Sequence, residues 1–590
     1  MQLRSTGRRQ LLRGALALPF TSWFARKSHA AGPLPPPTPT PPGWPDESAW
    51  QGLAGEVKEF IRMRSPLAAC VQAGDCGTLF AAMKNPYFTG DDPALTQTLG
   101  WVGAWTSQAS PYAVAAHDAR DVAAAVNFAR EHKVRLVVKG GGHSYQGTSN
   151  AADSLLIWTR RMHAVALHEA FVPQGCAVAP TRAVSVGAGA MWSQAYDAVS
   201  TRGGGYVQGG GCLTVGVAGL VQSGGFGSFS KAFGLAAASL LEAEVVTADG
   251  QIRIANACTH PDLFWALKGG GGGSFGVLTR LTLKVHDLPE TFGAVNFTVK
   301  ARSAEAFRRL IALTLDHYAK RLMNPHWGEQ LRFRSGDVLQ VSMVFQGLTR
   351  SEAVAIWQPF FDALDAAGDD YDMDFAPLKI VATSARDFWS PTLFKRLFGF
   401  IRRDERPGAP ATNVFWPGNV GEAGQVIHGY QSTWLPADLL TAARRETLID
   451  ALFAVTRYWR VALHVNKGLA GAAPEVIAAA RDTAIHPAAL DAFALAISGA
   501  QEEPAYPGVP GHAPDAALAR EHAEAIARAA AELRRPLPVV ASYLAESDYF
   551  EADWRQAFWG PNHERLAQVK ARYDPEGLFT VHHGIGSREA

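Results

Sequence analysis

Two glycine-rich stretches contain the residues best suited to chemistry. In the first, Val134-Arg-Leu-Val-Val-Lys-Gly-Gly-Gly-His143-Ser-Tyr-Gln-Gly147, a β-branched run ends in three glycines and a histidine. Backbone amides in such a loop can approach an anionic group closely, so we interpret it as a pyrophosphate cradle. The second, Gly209-Gly-Gly-Cys212-Leu-Thr-Val-Gly216-Val-Ala-Gly219, places a cysteine in a turn where a flat ligand can lie against the backbone. We expect the histidine and the cysteine to face the same ligand.

These stretches resemble the two signatures of the berberine-bridge-enzyme-like flavoproteins, within the vanillyl-alcohol-oxidase and p-cresol-methylhydroxylase (PCMH) superfamily. The resemblance runs from Ser110 to His286 and returns near the C-terminus, from Tyr543 to Phe579. It implies a bound FAD that is attached through its 8α-methyl group to His143 and through C6 to Cys212. It also implies an α+β, two-domain PCMH-type fold, whose substrate domain is an antiparallel sheet covered by helices.

The resemblance places further cofactor contacts in the same loops and in a third glycine run. These candidate residues are Lys139, Gly140, Gly141, Gly142, Ser144, Tyr145, Gly147, Thr214, Val215, Gly216, Gly219, Gly276 and Val277. Val215 matches a position that can gate oxygen in relatives, and its small side chain favours an oxidase over a dehydrogenase.

A catalytic base is expected in the C-terminal stretch. Tyr543 occupies a position where relatives carry a tyrosine that faces the flavin, and Glu546 and Asp548 are nearby acids that could accept or share its proton. A tyrosine is unreactive at its usual pKa of about 10, so it needs such activation. The alternative for Tyr543 is a packed aromatic ring with a capped hydroxyl.

The elements that position these loops follow from periodicity and turn signals. Asp118 is expected to cap a helix that runs to Arg130, and a strand from Val134 to Val138 leads into the histidine loop. Asp249-Gly250 predicts a hairpin, and Pro261 begins a short helix. Strands and helices continue beyond Pro289, so the class is α+β.

A chain of 590 residues is too long for one core, and we predict five segments. They are a twin-arginine signal peptide at 1–31, a proline-rich linker and N-terminal wrap of the cofactor domain at 32–109, an FAD-binding domain at 110–288, a substrate domain at 289–540 and a C-terminal segment at 541–590 that returns to the FAD domain. Six aromatic residues of the substrate domain are candidates either for a pocket wall or for ordinary core: Trp327, Phe388, Trp389, Phe415, Trp416 and Trp434.

The N-terminus is typical of an export signal. Arg8 and Arg9 precede an apolar stretch from Leu11 to Ala25 that is too short to span a bilayer, and Ser28-His-Ala30 offers small residues for cleavage. We expect the twin-arginine translocon to carry the folded, FAD-loaded protein to the periplasm or the medium, without stable membrane insertion after cleavage. The alternative is a basic amphipathic tail or an uncleaved anchor.

Composition excludes several other classes of protein. A net charge of +1, with 18% charged residues, provides no basic field for nucleic acid. The chain has no HExxH motif and no paired CxxC motif, so we predict no metal site, and His582-His583 is expected to be structural or flavin-adjacent. Cys70 and Cys76 could close a short disulfide loop, whereas Cys176 and Cys258 are expected to be buried thiols.

We consider functional hypotheses from several classes of protein. The first is an exported FAD-dependent oxidase of an alcohol, a sugar or a related small molecule, which passes electrons to O2 and forms H2O2. A dehydrogenase of the same fold and a flavin-retaining binding protein are alternatives. Gly272-Gly-Ser274-Phe-Gly276 satisfies the nucleophile-elbow pattern of a serine hydrolase, but that motif needs a strand before the serine and a helix after it. The predicted order here is the reverse.

Overall fold

The computed structural model describes residues 43–390, 401–502 and 504–587. The predicted signal peptide and most of the proline-rich linker lie outside the described residues. Within these ranges, no helix is both long enough and apolar enough to cross a membrane.

The first described segment consists of short elements: α1 (Glu47–Glu56), β1 (Phe60–Arg62), α2 (Pro66–Ala73), α3 (Gly77–Met83), α4 (Pro86–Gly90), β2 (Thr98–Trp101) and β3 (Trp105–Thr106). Helices α1, α2 and α4 each begin where a side-chain oxygen, from Asp46, Ser65 or Asn85, accepts a backbone hydrogen bond of the first turn. A disulfide joins Cys70 to Cys76, which confirms the predicted short loop.

The second segment contains the elements around the glycine loops: β4 (Tyr112–Ala115), α5 (Ala119–His132), β5 (Arg135–Lys139), β6 (Ser154–Trp158), β7 (Val165–Phe171), β8 (Thr181–Gly187), α6 (Trp192–Tyr196), β9 (Gly205–Tyr206), α7 (Val217–Gln222), α8 (Ser230–Phe233), β10 (Leu240–Val246), β11 (Ile252–Asn256), α9 (Pro261–Leu267), β12 (Val277–Lys284) and β13 (His286–Asp287). Asp118 caps α5 by accepting hydrogen bonds from the Arg120 and Asp121 amides, as expected. The hairpin over Asp249-Gly250 is confirmed as β10–β11.

Two sheets organise this segment. Strands β1, β4, β6 and β5 form the first in that order, and β4, β6 and β5 run parallel, as a strand–helix–strand crossover through α5 requires. Strands β11, β10, β12, β8 and β7 form an antiparallel second sheet. Helix α5 buries Val122, Val126 and Ala129 in one cluster with strand residues of both sheets. Strand β5 therefore ends at a fixed place and directs the histidine loop.

The third segment contains β14 (Thr291–Ala301), α10 (Ala304–His317), β15 (Trp327–Arg334), β16 (Val338–Gln346), α11 (Arg350–Ala366), β17 (Tyr371–Ser384), β18 (Arg402–Arg403), β19 (Val414–Phe415), α12 (Asn419–Glu422), β20 (Gln425–Pro436), α13 (Arg445–Tyr458), β21 (Val461–His464), α14 (Pro474–Arg481), α15 (Ala488–Asp491), β22 (Ala492–Glu502) and α16 (Ala516–Arg534). The last described helices are α17 (Trp554–Trp559) and α18 (Asn562–Tyr573).

Among the described residues, nine strands form one large sheet in the order β17, β14, β16, β15, β21, β22, β20, β2 and β3. It is antiparallel except where β2 runs parallel to β20, and apolar residues of α10, α11, α13 and α16 cover one of its faces. The predicted antiparallel substrate sheet with helical cover is confirmed. Strands β2 and β3 come from the segment that was predicted to wrap the cofactor domain, and they extend this sheet: Thr98 to Trp101 are fully buried against Gln425 to Ile427 of β20.

A second disulfide, between Cys176 and Cys258, shows that the prediction of two buried thiols was wrong. The loop after β7 is fixed beside the turn after β11 because Gln174 donates its amide to buried Glu242, and Asn256 donates to the Gln174 carbonyl. The two cysteines are 82 residues apart, so their proximity depends on tertiary contacts that spacing does not reveal.

The C-terminal segment packs against the glycine run that precedes β12. Lys570 Nζ donates to the Ser274 carbonyl at 2.7 Å and pairs with Asp574, and the Ile585 amide donates to Ser274 Oγ at 3.2 Å. Ser274 is therefore a buried structural residue, with helix α9 before it and strand β12 after it. This arrangement is the reverse of a nucleophile elbow, so the serine-hydrolase alternative was wrong.

Candidate active site

A cavity of about 1380 Å³ lies between the glycine loops and the uncovered face of the nine-stranded sheet. The loops after β5 and before α7 form one end. Side chains of β15 and β21, together with the C-terminal segment, form the other. Single-ligand pockets usually measure about 300–1000 Å³, so this cavity has room for a large cofactor and a substrate together.

The two glycine loops contact each other through their backbones. A Cβ atom on Gly141 would lie 2.7 Å from the Gly216 nitrogen and 2.9 Å from the Thr214 carbonyl oxygen, closer than such atoms approach. A Cβ on Gly216 would lie 2.9 Å from the Gly141 nitrogen. Only glycine at both positions permits this approach, which brings the histidine loop and the cysteine loop to the same end of the cavity.

The predicted anchors, His143 and Cys212, converge on one threonine hydroxyl. Thr214 Oγ1 lies 3.2 Å from His143 Nε2 and 3.6 Å from Cys212 Sγ. The Asn419 amide also donates to Cys212 Sγ at 3.6 Å. Thr214 is fully buried behind the cavity wall, so it orients the two anchors without lining the cavity itself.

Burial leaves both anchors uncharged. It lowers the pKa of His143 to about 4, so the imidazole is neutral near pH 7 and keeps a lone pair for bonding. Burial and then the Glu422 carboxylate raise the pKa of Cys212 to about 11. The sulfur is therefore mainly a thiol at neutral pH, and thiolate chemistry at this position requires a proton to leave.

Most of the other predicted cofactor contacts line the cavity. They are Gly140, Gly141, Gly142, Ser144, Tyr145, Gly147, Val215, Gly216, Gly219, Gly276 and Val277. Lys139 does not, because its buried ammonium donates to the carbonyl oxygens of Asp92, Pro93 and Leu95 at 2.6–3.2 Å. In the structure, the Lys139 side chain instead holds the segment before β2 against β5.

Tyr543 and Glu546, the predicted catalytic pair, also line the cavity, but their charged surroundings differ from those expected. Glu546 forms an ion pair with Lys467, whose Nζ lies 5.8 Å from the centroid of the Tyr543 ring. Burial, followed by the charge of Glu546, raises the pKa of Tyr543 well above its usual value. Glu546 therefore does not activate Tyr543 as a base. Asp548 lies outside the cavity lining and accepts a hydrogen bond from Gln431.

The nine-stranded sheet contributes functional candidates that sequence reasoning missed. Glu329, Arg332, His464, Asn466 and Lys467 line the cavity from β15 and from the end of β21. Glu329 has a φ of 70°, accepts a hydrogen bond from the Ser228 hydroxyl, and has its pKa raised by burial. The sequence shows the alternation of polar and apolar side chains along β15. Only the strand register shows which face of β15 meets the cavity.

The aromatic candidates divide between the two predicted roles. Phe388, Trp389 and Trp416 line the cavity, whereas Trp327, Phe415 and Trp434 are buried in hydrophobic clusters. His582 and His583 also line it, where His582 stacks on Tyr549 with ring centroids 3.7 Å apart. No group of three or more potential ligand side chains in the described ranges is arranged to hold a metal ion.

Several buried polar atoms along the cavity have no hydrogen-bond partner among the described residues. They are Gln97 Oε1, Gln146 Oε1, Asn150 Oδ1, Asn466 Oδ1 and His583 Nδ1. Buried polar atoms are almost always satisfied in folded proteins. A ligand with many donors and acceptors therefore fits this cavity, and a dinucleotide with a polar substrate has that character.

Comparisons with known proteins agree with this geometry. An FAD-binding-domain family matches residues 110–256, and the family described as "Berberine and berberine like" matches residues 542–586. An FAD-linked oxidoreductase of Penicillium thymicola is 30% identical over 490 residues, which cover 81% of this chain and 76% of that protein. Another, from Trichophyton verrucosum, is 28% identical over 578 residues, which cover 92% and 89% of the two chains.

The chain belongs to the FAD-linked oxidoreductases. Several solved structures have the same fold as this FAD-linked oxidoreductase. A vanillyl-alcohol-oxidase-type flavoprotein of Myceliophthora thermophila has a TM-score of 0.73 at 23% identity, covering 93% of this chain and 96% of that one. A glucooligosaccharide oxidase of Acremonium strictum, described as carrying 6-S-cysteinyl, 8α-N1-histidyl FAD, has a TM-score of 0.62 at 20% identity, covering 88% and 98%.

In this FAD-linked oxidoreductase, the close contact between Gly141 and Gly216 predicts that one added methyl group at Gly141 strongly affects stability and FAD binding. We expect Gly141→Ala to separate the loops, to lower the unfolding free energy by about 1–3 kcal/mol and to reduce the FAD content of the purified protein. The ratio of flavin to protein absorbance and the thermal midpoint measure both effects. Gly421→Ala is the matched control, because a Cβ at Gly421 has no neighbour within 4 Å. An unchanged flavin content in Gly141→Ala would contradict the role of this contact.

Proposed function

We propose that this FAD-linked oxidoreductase is an exported oxidase of a hydroxylated, sugar-like small molecule. The observation that carries the proposal is the single cavity that joins the two glycine loops to the polar face of the nine-stranded sheet. One end offers backbone amides and two anchors for a flavin nucleotide, and the other offers hydrogen-bonding and charged side chains. When bound, FAD supplies a ring that accepts hydride from the substrate and passes electrons to O2, which yields H2O2.

His143 and Cys212 are the residues that would hold FAD covalently. Both contact Thr214, His143 is neutral, and Cys212 is the free cysteine among the described residues. Lone pairs at both atoms are what bond formation requires, although Cys212 must first lose its proton. The histidyl and cysteinyl linkages of the Acremonium strictum enzyme provide a precedent in a protein of the same fold.

Tyr543 and Glu546 are the groups we assign to the substrate proton. The raised pKa keeps the Tyr543 hydroxyl protonated near neutral pH, so it donates a hydrogen bond that orients the substrate oxygen. Glu546 accepts the proton as hydride leaves the carbon. Lys467, which pairs with Glu546 and lies beside the Tyr543 ring, keeps this acceptor in place.

A polyhydroxyl substrate fits the side chains that face it. Gln330, Ser342 and Asn466 offer amide and hydroxyl groups along the sheet, and Trp389 and Trp416 offer flat apolar surfaces. Sugars present this same combination of hydroxyl edges and apolar ring faces. Two proteins of the same fold are named glucooligosaccharide oxidase and chitooligosaccharide oxidase, which also supports this substrate class.

Export by the twin-arginine route is part of the proposal. The disulfides Cys70–Cys76 and Cys176–Cys258 suit an oxidising compartment. The cavity needs the glycine loops and the C-terminal segment together, so FAD binds a folded chain, and the twin-arginine translocon accepts folded cargo.

The first prediction concerns the flavin linkage. Wild-type protein precipitated with acid is expected to give a yellow pellet, and so are His143→Ala and Cys212→Ala, because each keeps one anchor. The double variant, as matched control, should release its pigment to the supernatant. Absorbance of pellet and supernatant measures the outcome. A white wild-type pellet would refute covalent attachment.

The second prediction concerns the proton acceptor. Glu546→Gln is expected to slow anaerobic flavin reduction by about 10²–10⁴-fold, because the amide cannot accept the proton. Substrate affinity, taken from the concentration dependence of that reduction, should change much less. Asp548→Asn is the control, because Asp548 lies outside the cavity lining. Reduction at the wild-type rate in Glu546→Gln would assign the proton to another group.

The third prediction tests the oxidase itself. A screen of sugars and alcohols under anaerobic conditions should identify compounds that bleach the flavin absorbance. In air, the same compounds should yield about one H2O2 per molecule oxidised, measured with a coupled peroxidase. Bleaching followed by slow reoxidation in air and fast reduction of an added dye would identify a dehydrogenase instead. A flavin that no compound bleaches would favour a binding protein.

A further inference from the structure

Three arginines cluster at the sheet end of the cavity. Arg332 and Arg334 lie two positions apart on β15, and Arg460 immediately precedes β21. The strand register pairs Arg332 with Ala462 and Phe333 with Val461, so the next position along the same ladder brings Arg334 opposite Arg460.

The core fixes the direction in which these arginines point. Leu331 and Phe333, which alternate with them, are buried against the covering helices. Because side chains alternate along a strand, the three arginines share the other face with His464, which lines the cavity.

This cluster is electrically unbalanced. In the part of the chain that the structure describes, none of the three guanidinium groups forms an ion pair with a carboxylate, and Arg460 donates only to the Gly499 carbonyl, at 3.3 Å. Burial lowers the pKa of Arg332, the charge of Glu329 opposes this shift, and the charges of Arg460 and Arg334 add to it.

The other charges near the cavity do not neutralise the cluster. Lys467 already pairs with Glu546. Glu329, the nearby acid, accepts a hydrogen bond from the Ser228 hydroxyl and, within the described chain, forms no ion pair with Arg332. Its charge raises the pKa of Arg332, but burial raises the pKa of Glu329 itself and so disfavours the carboxylate that would balance the cluster. Like charges directly opposite each other across two strands destabilise a sheet. A protein keeps such an arrangement where an anion compensates it.

We propose that this arginine cluster binds a carboxylate of the substrate, so that the substrate class is a hydroxylated acid such as a uronic acid or a saccharide that contains one. The inference rests on the proposed oxidase function. A guanidinium group offers two parallel N–H donors that match the two oxygens of a carboxylate. Arg332 is the half-buried member that lines the cavity, whereas Arg334 and Arg460 are exposed and lie outside the cavity lining.

The charge at the cavity wall favours a carboxylate over a phosphate. Of the three arginines, Arg332 alone places a positive charge inside the cavity, where Lys467 is already paired with Glu546. The charges of Arg334 and Arg460 are screened by water. One positive charge matches a monoanion. A phosphate ester carries a charge of about −1.5 to −2 at neutral pH, which would leave excess negative charge in the cavity.

Titration of the holoenzyme in the absence of O2 tests the inference. Glucuronate, glucose and glucose 6-phosphate are titrated anaerobically against the flavin absorbance. The Kd comes from the spectral change of a compound that only binds, or from the concentration dependence of the reduction rate of a compound that bleaches the flavin. We expect glucuronate to bind at least about tenfold more tightly than glucose, and Arg332→Gln to remove this preference. Arg332→Lys should keep part of it, because the charge remains and the fork is lost.

Arg308→Gln is the matched control, because Arg308 pairs with Glu446 and Asp450 on the surface and does not line the cavity. It should leave all three Kd values unchanged. Equal affinity for glucuronate and glucose, or an unchanged preference in Arg332→Gln, would overturn the inference. Tighter binding of glucose 6-phosphate than of glucuronate would overturn the carboxylate assignment. The proposed function fails separately, if no hydroxylated compound of either kind bleaches the flavin.

Discussion

The close backbone approach of Gly141 and Gly216 is the constraint on which the candidate site depends. It sets the histidine loop against the cysteine loop and brings both anchors to one threonine hydroxyl. The surrounding elements serve this contact. Strand β5 ends at Lys139, whose ammonium is fixed by three carbonyl groups, so the loop that follows leaves the sheet in one direction.

The two ends of the cavity differ in their electrostatics. At the loop end, His143 is neutral and Cys212 is a thiol, so the protein presents dipoles and lone pairs rather than charges. At the sheet end, Lys467 and Glu546 form an ion pair, and Glu329 and Arg332 add further charged groups to the lining. One continuous cavity thus offers a ligand mainly uncharged groups at one end and charged groups at the other.

Local signals in the sequence located much of the fold and the flavin end of the site. Glycine spacing identified the loops around His143 and Cys212, and Asp118 and Asp249-Gly250 marked a helix start and a hairpin, because each depends on nearby residues alone. Features that depend on distant contacts were missed or misassigned. The Cys176–Cys258 disulfide, the carbonyl partners of Lys139 and the cavity face of β15 follow from tertiary packing and strand register, which spacing along one chain does not encode.

The return of the C-terminal segment has a consequence for biosynthesis. Gln146, in the histidine loop, donates to the Ser547 carbonyl at 3.1 Å across 401 residues, and Lys570 holds the Ser274 carbonyl from the C-terminal side. The cavity wall is therefore incomplete until the ribosome has released nearly the entire polypeptide. A chain that stopped before Ser547 would lack this contact and part of the cavity wall.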